Sequence, residues 1–572
     1  MLFNYREFAY EKELSSYRRF ILSNEPQEKD LASQKEFKFN FNPKFCIITE
    51  QESFLLKQSL EEQTYKNFDR TILGNLQLKD CDYYIIVNSF VSLAPNFLFE
   101  IVSELNKNRN IDFFYFDEDK IDDNKNRKDP YFKPDFSPDT LRSCNYIGNV
   151  ICISKKLFDE IGLLENIKGK DNLNLYDIIF RASEKTKNIY HISKVLVHIL
   201  ESNYKFDLER DKKAISEHLN RIALKGIVKD GLVSETYKIE YEIKGNPLIS
   251  IIIPNHNHKK DLEICINSIR EKSTYKNYEI LIVENHSTDE DLFVYYEELE
   301  KDSRIKVLKY TDEFNYASVN NFAVKESKGD YLILLNNDIE IITPSWIEEM
   351  LMYAQRDDVG VVGAKLYYPN ATIQHAGMKY GILNEIVHQL RYFSKEASGY
   401  GNCLSIVQNI SCVTGACIMS SKKKYFEVNG LDKLFKMAFN DVDYCMKLRD
   451  KDYLIILNPY CELLHYEGAT RGIDDTEDKV KLFLKEKKIF FDKWKAYKEI
   501  YYNENLTLDD WNFSIKAFNF VENSNHLENT IEQLQLSFKN LQLSYDNLLN
   551  SYSYKIGRFL TFPISFIAKF IK

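Results

Sequence analysis

The sequence predicts an α/β protein made of two copies of one domain, each built around a mostly parallel sheet. Three observations predict it. From Pro43 onward, short β-rich runs alternate with helical stretches, the pattern of a layered α/β domain. The run LISIIIP after Pro247 is dominated by β-branched residues, as in a strand buried on both faces. Third, the second half restates the first. Thr64-Tyr65-Lys66-Asn67-Phe68 returns as Thr274-Tyr275-Lys276-Asn277-Tyr278, and CDYYIIVNSF (81–90) returns as GDYLILLNND (329–338). NLYDIIFRASE (174–184) returns as NDVDYCMKLRD (440–450), followed by His198 and His465 at closely similar spacing.

In chain order, 1–42 is a polar, aromatic extension with helical character, and 43–200 is the first copy. Residues 201–245 contain a helix, DKKAISEHLNRIALKGI, that leads into a linker. The second copy occupies 246–475. A helical region (476–520), a coiled-coil-like helix (521–556) and a basic amphipathic tail (557–572) follow.

Composition bounds the function. The 572 residues are 44% hydrophobic and 28% charged, enough to bury a core in each unit. A net charge of −10 argues against nucleic-acid binding, which asks for a basic face. Ten cysteines form no C-x-x-C pair, so zinc and dithiol chemistry are not indicated. MLFNYREFAYEKEL has no apolar core of a secretory signal, and no run of about 18 apolar residues occurs. The expectation is a soluble, reduced, intracellular protein.

The chemistry sits in the second copy. The strand YLILL (331–335) ends in Asn336-Asn337-Asp338, and the carboxyl ends of such strands are where open α/β sheets bind ligands. An acidic residue there suits a hard divalent cation, although Asn-Asn-Asp is also a good turn. Pro254-Asn255-His256-Asn257 and Glu284-Asn285-His286-Ser287 end two further strands at the same edge. Asp441 and Asp443 open a helix and cannot share one face of it. His465 leaves an apolar strand either as a metal ligand or as a satisfied core histidine.

The ordered blocks SIIIPNHN, IVENHSTD, GDYLILLNND, VTGACIM, FNDVDYC and LLHYEGATRG resemble glycosyltransferase family 2, with its Rossmann-like GT-A fold. The likeness is to tandem-domain bacterial enzymes of O-antigen, capsule and rhamnan-type polysaccharide assembly. FDEDKID (116–122) and DPYFKPDFSPD (129–139) resemble the first domain of those proteins. The resemblance implies an inverting transfer from a UDP- or dTDP-sugar to a glycan or lipid-linked glycan, assisted by Mg²⁺ or Mn²⁺. It makes Asp338 and His465 the metal ligands and Asp441 the general base. It puts Pro254, Asn257, Glu284, Asn285, Ser287, Asn320, Asn336, Asn337, Thr414, Gly415 and Ala416 along the nucleotide sugar. Asn336 and Asn440 stand where the family usually has acidic residues, and Glu284 stands where it usually has Asp. The residue types also fit the chemistry. A departing nucleoside diphosphate needs its charge neutralised, and an attacking hydroxyl needs a carboxylate to take its proton.

The first copy lacks these groups: Asn88-Ser89-Phe90 replaces the Asp338 element and Leu175 replaces Asp441, while Asp177 and His198 remain. It is therefore a degenerate domain serving structure or acceptor binding. Asp117-Glu118-Asp119 is expected in a loop, with at most an acceptor role. The alternative for the whole chain is a non-catalytic scaffold for a polysaccharide assembly complex. A dinucleotide-dependent oxidoreductase is excluded because no G-x-G-x-x-G follows either first strand.

In the tail, Leu527, Ile531, Leu534, Phe538, Leu541, Tyr545, Leu548 and Tyr552 alternate spacings of four and three. That seam suits either self-association through a coiled coil or packing on the protein's own catalytic domain. Beyond it, Lys555, Arg558, Lys569 and Lys572 flank a run of Phe, Leu and Ile interrupted by Pro563. Such a segment suits the surface of an anionic bilayer. The expectation is a peripheral enzyme on the cytoplasmic face of the inner membrane.

Overall fold

The computed structural model describes residues 16–51, 53–73, 80–88, 90–122, 124–164, 173–200, 207–467 and 476–516. Residues 16–516 of this set lie in one compact unit. The coiled-coil and amphipathic tail expectations, 521–556 and 557–572, fall outside the described residues.

The first half forms β1 (Phe45–Thr49), β2 (Phe68–Ile72), β3 (Tyr83–Val87), β4 (Val91–Leu93), β5 (Phe113–Ile121), β6 (Arg127–Tyr131), β7 (Val150–Ser154) and β8 (Ile189–Leu200). Their order is β2-β1-β3-β7-β5-β8-β4, with β6 on β5. A hairpin follows, β9 (Gly226–Asp230) and β10 (Tyr237–Tyr241). The second half supplies β11 (Ile249–Asn255), β12 (Tyr278–Glu284), β13 (Ile305–Lys309), β14 (Tyr331–Leu335), β15 (Ile339–Ile341) and β16 (Val359–Tyr367). It continues with β17 (Ile373–His375), β18 (Met378–Tyr380), β19 (Ile386–His388), β20 (Gln408–Asn409), β21 (Cys417–Ser421) and β22 (Leu454–His465). The second sheet runs β13-β12-β11-β14-β21-β16-β22-β15.

From β12 to β15 this order repeats β2 to β4 strand for strand, and each pairing keeps its sense. The sequence repeat is thus a repeat of topology. The sheets are mixed, however, and not mostly parallel. β13-β12-β11-β14 are parallel, but β21 enters antiparallel between β14 and β16, and β15 pairs antiparallel with β22. Apolar runs such as YLILL and VGVVGAKLY specify burial on both faces and carry no information about direction.

Three further expectations need correction. Of 201–245, the described part is a helix, Leu208–Arg221, followed by the β9–β10 hairpin, whose Tyr237, Ile239 and Tyr241 enter the main core. It packs as an element rather than running as a helical linker. In 476–520 the helix is Glu477–Lys493. The chain from 494 to 516 is irregular and returns to the first half, where Asp135 N donates to Ile500 O (2.8 Å) and Asn503 Nδ2 donates to Asp117 Oδ2 (3.0 Å). Finally, Asp117-Glu118-Asp119 lies within β5 and not in a loop. Asp117 takes His191 Nε2 (2.8 Å), Asp119 takes His198 Nδ1 and Arg127 Nε (2.6 Å each), and Glu118 pairs with Lys133 (2.9 Å). All three carboxylates are spent on structure.

The halves are welded by a buried ion network. Asp139 of the first half pairs with Arg356 and Asn409 of the second and with its own neighbour Arg142. Arg142 in turn donates to His218 of the helix Leu208–Arg221 (3.2 Å). Burial alone would raise the Asp139 carboxyl, but the two guanidiniums outweigh it and hold it well below the usual carboxylate range.

Candidate functional site

The site forms at the carboxyl ends of β11, β12 and β14, beside the end of β22. β14 is an apolar run that leaves the sheet core at Asn336, and β15 begins again at Ile339. Asp338 is therefore held between two strands. Tyr466 N donates to Asp338 O (3.0 Å), and β15 sets Ile339 opposite His465. This register brings Asp338 Oδ1 to 3.3 Å from His465 Nε2, with both residues buried, and Asn336 Nδ2 lies 3.5 Å from the same nitrogen.

That geometry fits a small divalent ion. Two donors each about 2.1 Å from one ion at a right angle lie about 3 Å apart. The ring nitrogen that faces Asp338 is Nε2; the other, Nδ1, is buried without a hydrogen-bond partner among the described residues, and an ion at Nε2 would leave it so. Among those residues no group of three or more His, Cys, Asp and Glu side chains converges on a metal site. A cation here would take its remaining ligands from water and phosphate oxygens, the usual habit of Mg²⁺.

Asp441 reaches the same edge from the helix Asn440–Arg449, whose preceding residue, Phe439, holds φ +62°. Asp441 Oδ2 accepts from Gly415 N (2.7 Å), and Gly415 O accepts from Tyr316 OH (3.1 Å). A Cβ at Gly415 would lie 3.2 Å from Asp441 Cβ, so any larger residue would push Asp441 or the loop aside by a few tenths of an ångström. One residue on, Ala416 O accepts from Asn336 N (3.0 Å). The tripeptide Thr414-Gly415-Ala416 thus ties Asp441 to the Asp338 element. Asp443 turns away: it is fully buried, accepts from Trp494 Nε1 (2.9 Å) and pairs with Lys493 (2.7 Å).

Of the residues expected along a nucleotide sugar, Asn257, Glu284 and Ser287 are linked directly, and several spend their polar atoms on one another or on nearby loops. Glu284 Oε1 accepts from Ser287 N, and Oε2 accepts from Ser287 Oγ and Tyr296 OH, at 2.6–2.7 Å. Asn285 Nδ2 donates to Tyr310 O and Asp312 O, and Asn257 Oδ1 accepts from Thr288 N. Asn337 Nδ2 donates to Asn255 Oδ1 (2.6 Å). Glu284 is therefore a brace for the loop after β12. Pro254 lies in β11 opposite Val283. Asn320 is buried in the helix Tyr316–Glu326, its Oδ1 lacking a hydrogen bond among the described residues. Asn257, His258 and His286 all hold positive φ, so backbone strain gathers at this edge.

Sequence reasoning missed Tyr296, Tyr316 and two histidines, His375 and His388. Their only signal was rarity: the chain has ten histidines, and these two share one short segment of the second half.

The first half supplies an internal control. Leu200 N donates to Phe90 O just as Tyr466 N donates to Asp338 O. The counterpart of His465 is therefore Ile199, and the expected match to His198 is off by one residue. In a strand that offset moves the side chain to the other face, where His198 binds Asp119. All three positions are apolar in the first half: Phe90, Leu175 and Ile199.

Residues 250–423 match the family model described as "Glycosyl transferase family 2". The chain is 35% identical over 441 residues to an uncharacterized protein, y4gI, of Sinorhizobium fredii, covering 74% of this chain and 48% of that one. It is 30% identical over 394 residues to the O-antigen biosynthesis protein RfbC of Myxococcus xanthus, covering 67% of this chain and 30% of that one. The chain thus spans about half, or less, of these relatives. Among solved structures, a mannosyltransferase of Pyrobaculum calidifontis in complex with GDP-Man and Mn²⁺ overlays with a TM-score of 0.34 at 14% identity. The overlay covers 48% of this chain and 69% of that one.

Proposed function

Since residues 250–423 are a glycosyl transferase family 2 domain, we propose that the chain transfers a sugar, with inversion, from a nucleoside-diphosphate donor to a hydroxyl of a growing surface polysaccharide. The observation that carries this reading is the junction at Thr414–Ala416. It ties the Asp441 carboxylate, through Gly415 N and Ala416 O, to the strand end that carries Asp338 and its partner His465.

Asp338 and His465 would hold a divalent ion, Mg²⁺ or Mn²⁺, which when bound neutralises charge on the departing diphosphate. Asp441, half-exposed and oriented by Gly415 N, takes the proton of the incoming hydroxyl as it attacks. A base so placed contributes about 10²–10⁴-fold. With one base and one displacement, the anomeric carbon inverts and no covalent enzyme intermediate is required. The first half, apolar at Phe90, Leu175 and Ile199, serves structure or acceptor binding. The similarity to a protein named for O-antigen biosynthesis supports a polysaccharide acceptor, carried on a lipid at the membrane face where the basic tail would hold the enzyme.

The test is release of nucleoside diphosphate from a panel of UDP- and dTDP-sugars with and without Mn²⁺. Release that requires the ion and is lost in Asp441→Asn supports the reading. No release from any donor, with protein still bound to partner assembly enzymes, would support a scaffold instead.

A further inference from the structure

The second half places two histidines edge to face near the site. His375 ends β17, and His388 ends β19 opposite Met378. Their Nδ1 atoms lie 2.9 Å apart with ring planes at 83°. His375 is fully buried. Its other nitrogen, Nε2, accepts from Thr414 N (3.4 Å).

This pattern fixes the protons. Two imidazole nitrogens at 2.9 Å need one hydrogen between them. His375 Nε2 is an acceptor, so neutral His375 carries its hydrogen on Nδ1. His388 Nδ1 is then the acceptor, and His388 carries its hydrogen on Nε2. A directed chain results: Thr414 N–H to His375, and His375 Nδ1–H to His388.

The surroundings hold the pair rigidly. Gly377 turns the chain between β17 and β18 at φ +98°, and a Cβ there would meet Ile410 at 1.9 Å. Gln389 N donates to Gly377 O (3.0 Å), and Met378 N donates to Cys412 O (2.9 Å), two residues before Thr414. A purely apolar core would fill this space without a buried imidazole, His375, and a half-buried one, His388, to satisfy. What the pair adds is a fixed partner for one amide, that of Thr414. The next amide, Gly415 N, orients Asp441, and the carbonyl after that, Ala416 O, holds Asn336.

We infer that His375 and His388 are positioning residues that set the Thr414–Ala416 loop, and through it the alignment of Asp441 with the Asp338–His465 pair. The inference rests on the transferase reading for its effect on turnover, but its tautomers stand apart from that reading. Misplacing a catalytic group by about 1 Å costs on the order of 10²-fold. His388→Leu, which removes the acceptor for His375 Nδ1–H, should lower turnover about 10- to 100-fold. Affinity for UDP or dTDP in Mn²⁺ should change less than about threefold, since neither Asp338 nor His465 is touched. His388→Asn returns a side-chain oxygen near the place of Nδ1 and should recover turnover to within about threefold of wild type.

Nitrogen NMR of the histidine-labelled full chain provides the independent readout. Among the chain's ten histidine rings, the one lost in His375→Gln should carry its hydrogen on Nδ1, and the one lost in His388→Asn should carry it on Nε2. An Nε2–H ring at His375, or His388→Asn as impaired as His388→Leu, would overturn the inference. If wild-type protein releases no nucleoside diphosphate at all, the transferase reading fails while the tautomers still decide whether the pair is built as described.

Discussion

At the scale of single residues, two aspartates two positions apart have opposite fates. Asp443 is sealed beneath Trp494 and Lys493, whereas Asp441 stays half-exposed with its carboxylate held by the backbone amides of Gly415 and Val442. The difference follows from helix geometry, which sends neighbouring positions to different faces. Asp441→Asn should therefore lower turnover at least about 10²-fold while nucleotide affinity stays within about threefold. Steady-state rates paired with calorimetry check this. Gly415→Ala keeps every charge but pushes a methyl towards Asp441 Cβ and should fall between wild type and Asp441→Asn in turnover. A variant as active as wild type would show that the Gly415 contact does not align the base.

At the scale of elements, the junction between the halves makes its own prediction. Asp139 is buried between Arg356, Arg142 and Asn409. Asp139→Ala leaves Arg142 without its carboxylate and Arg356 with Asp358 alone, and should cost about 3–5 kcal/mol. Because the folded Asp139 carboxyl is depressed, its stabilisation is complete above the unfolded value near about 3.9. It disappears as pH falls below that value towards the folded one. Urea unfolding at pH 7 and pH 3 checks the sign: the gap between wild type and variant should narrow in acid. Sequence made the buried strands, the repeat and the Asp338, Asp441 and His465 positions legible, because burial patterns and acidic strand ends are local signals. Strand direction was not legible, since β21 reads as apolar whichever way it runs. Nor was the strand character of Asp117-Glu118-Asp119, as three carboxylates in a row oppose β propensity. Only distant partners, His191, His198, Arg127 and Lys133, allow it. The His198 register also escaped, because a one-residue slip is invisible in spacing yet reverses the face.

At the scale of the whole molecule, one topology occurs twice and the candidate chemistry once. At the positions that match Asp338, Asp441 and His465 the first half carries Phe90, Leu175 and Ile199, side chains that can neither hold a cation nor take a proton, while its Asp117 and Asp139 build contacts to the segment 494–516 and to the second half. The basic, aromatic tail beyond Ser551 should bind anionic vesicles; flotation of the full chain but not of a chain truncated there is expected, and equal flotation would remove the anchor. The central claim is a single metal-assisted site per chain. Calorimetric titration of the full chain with UDP and with dTDP, each with and without Mn²⁺, tests it most directly. The account predicts that the nucleotide which binds does so at one Mn²⁺-dependent site per chain, retained in Asp441→Asn and lost in Asp338→Ala. Two such sites, or one that survives Asp338→Ala, would contradict it.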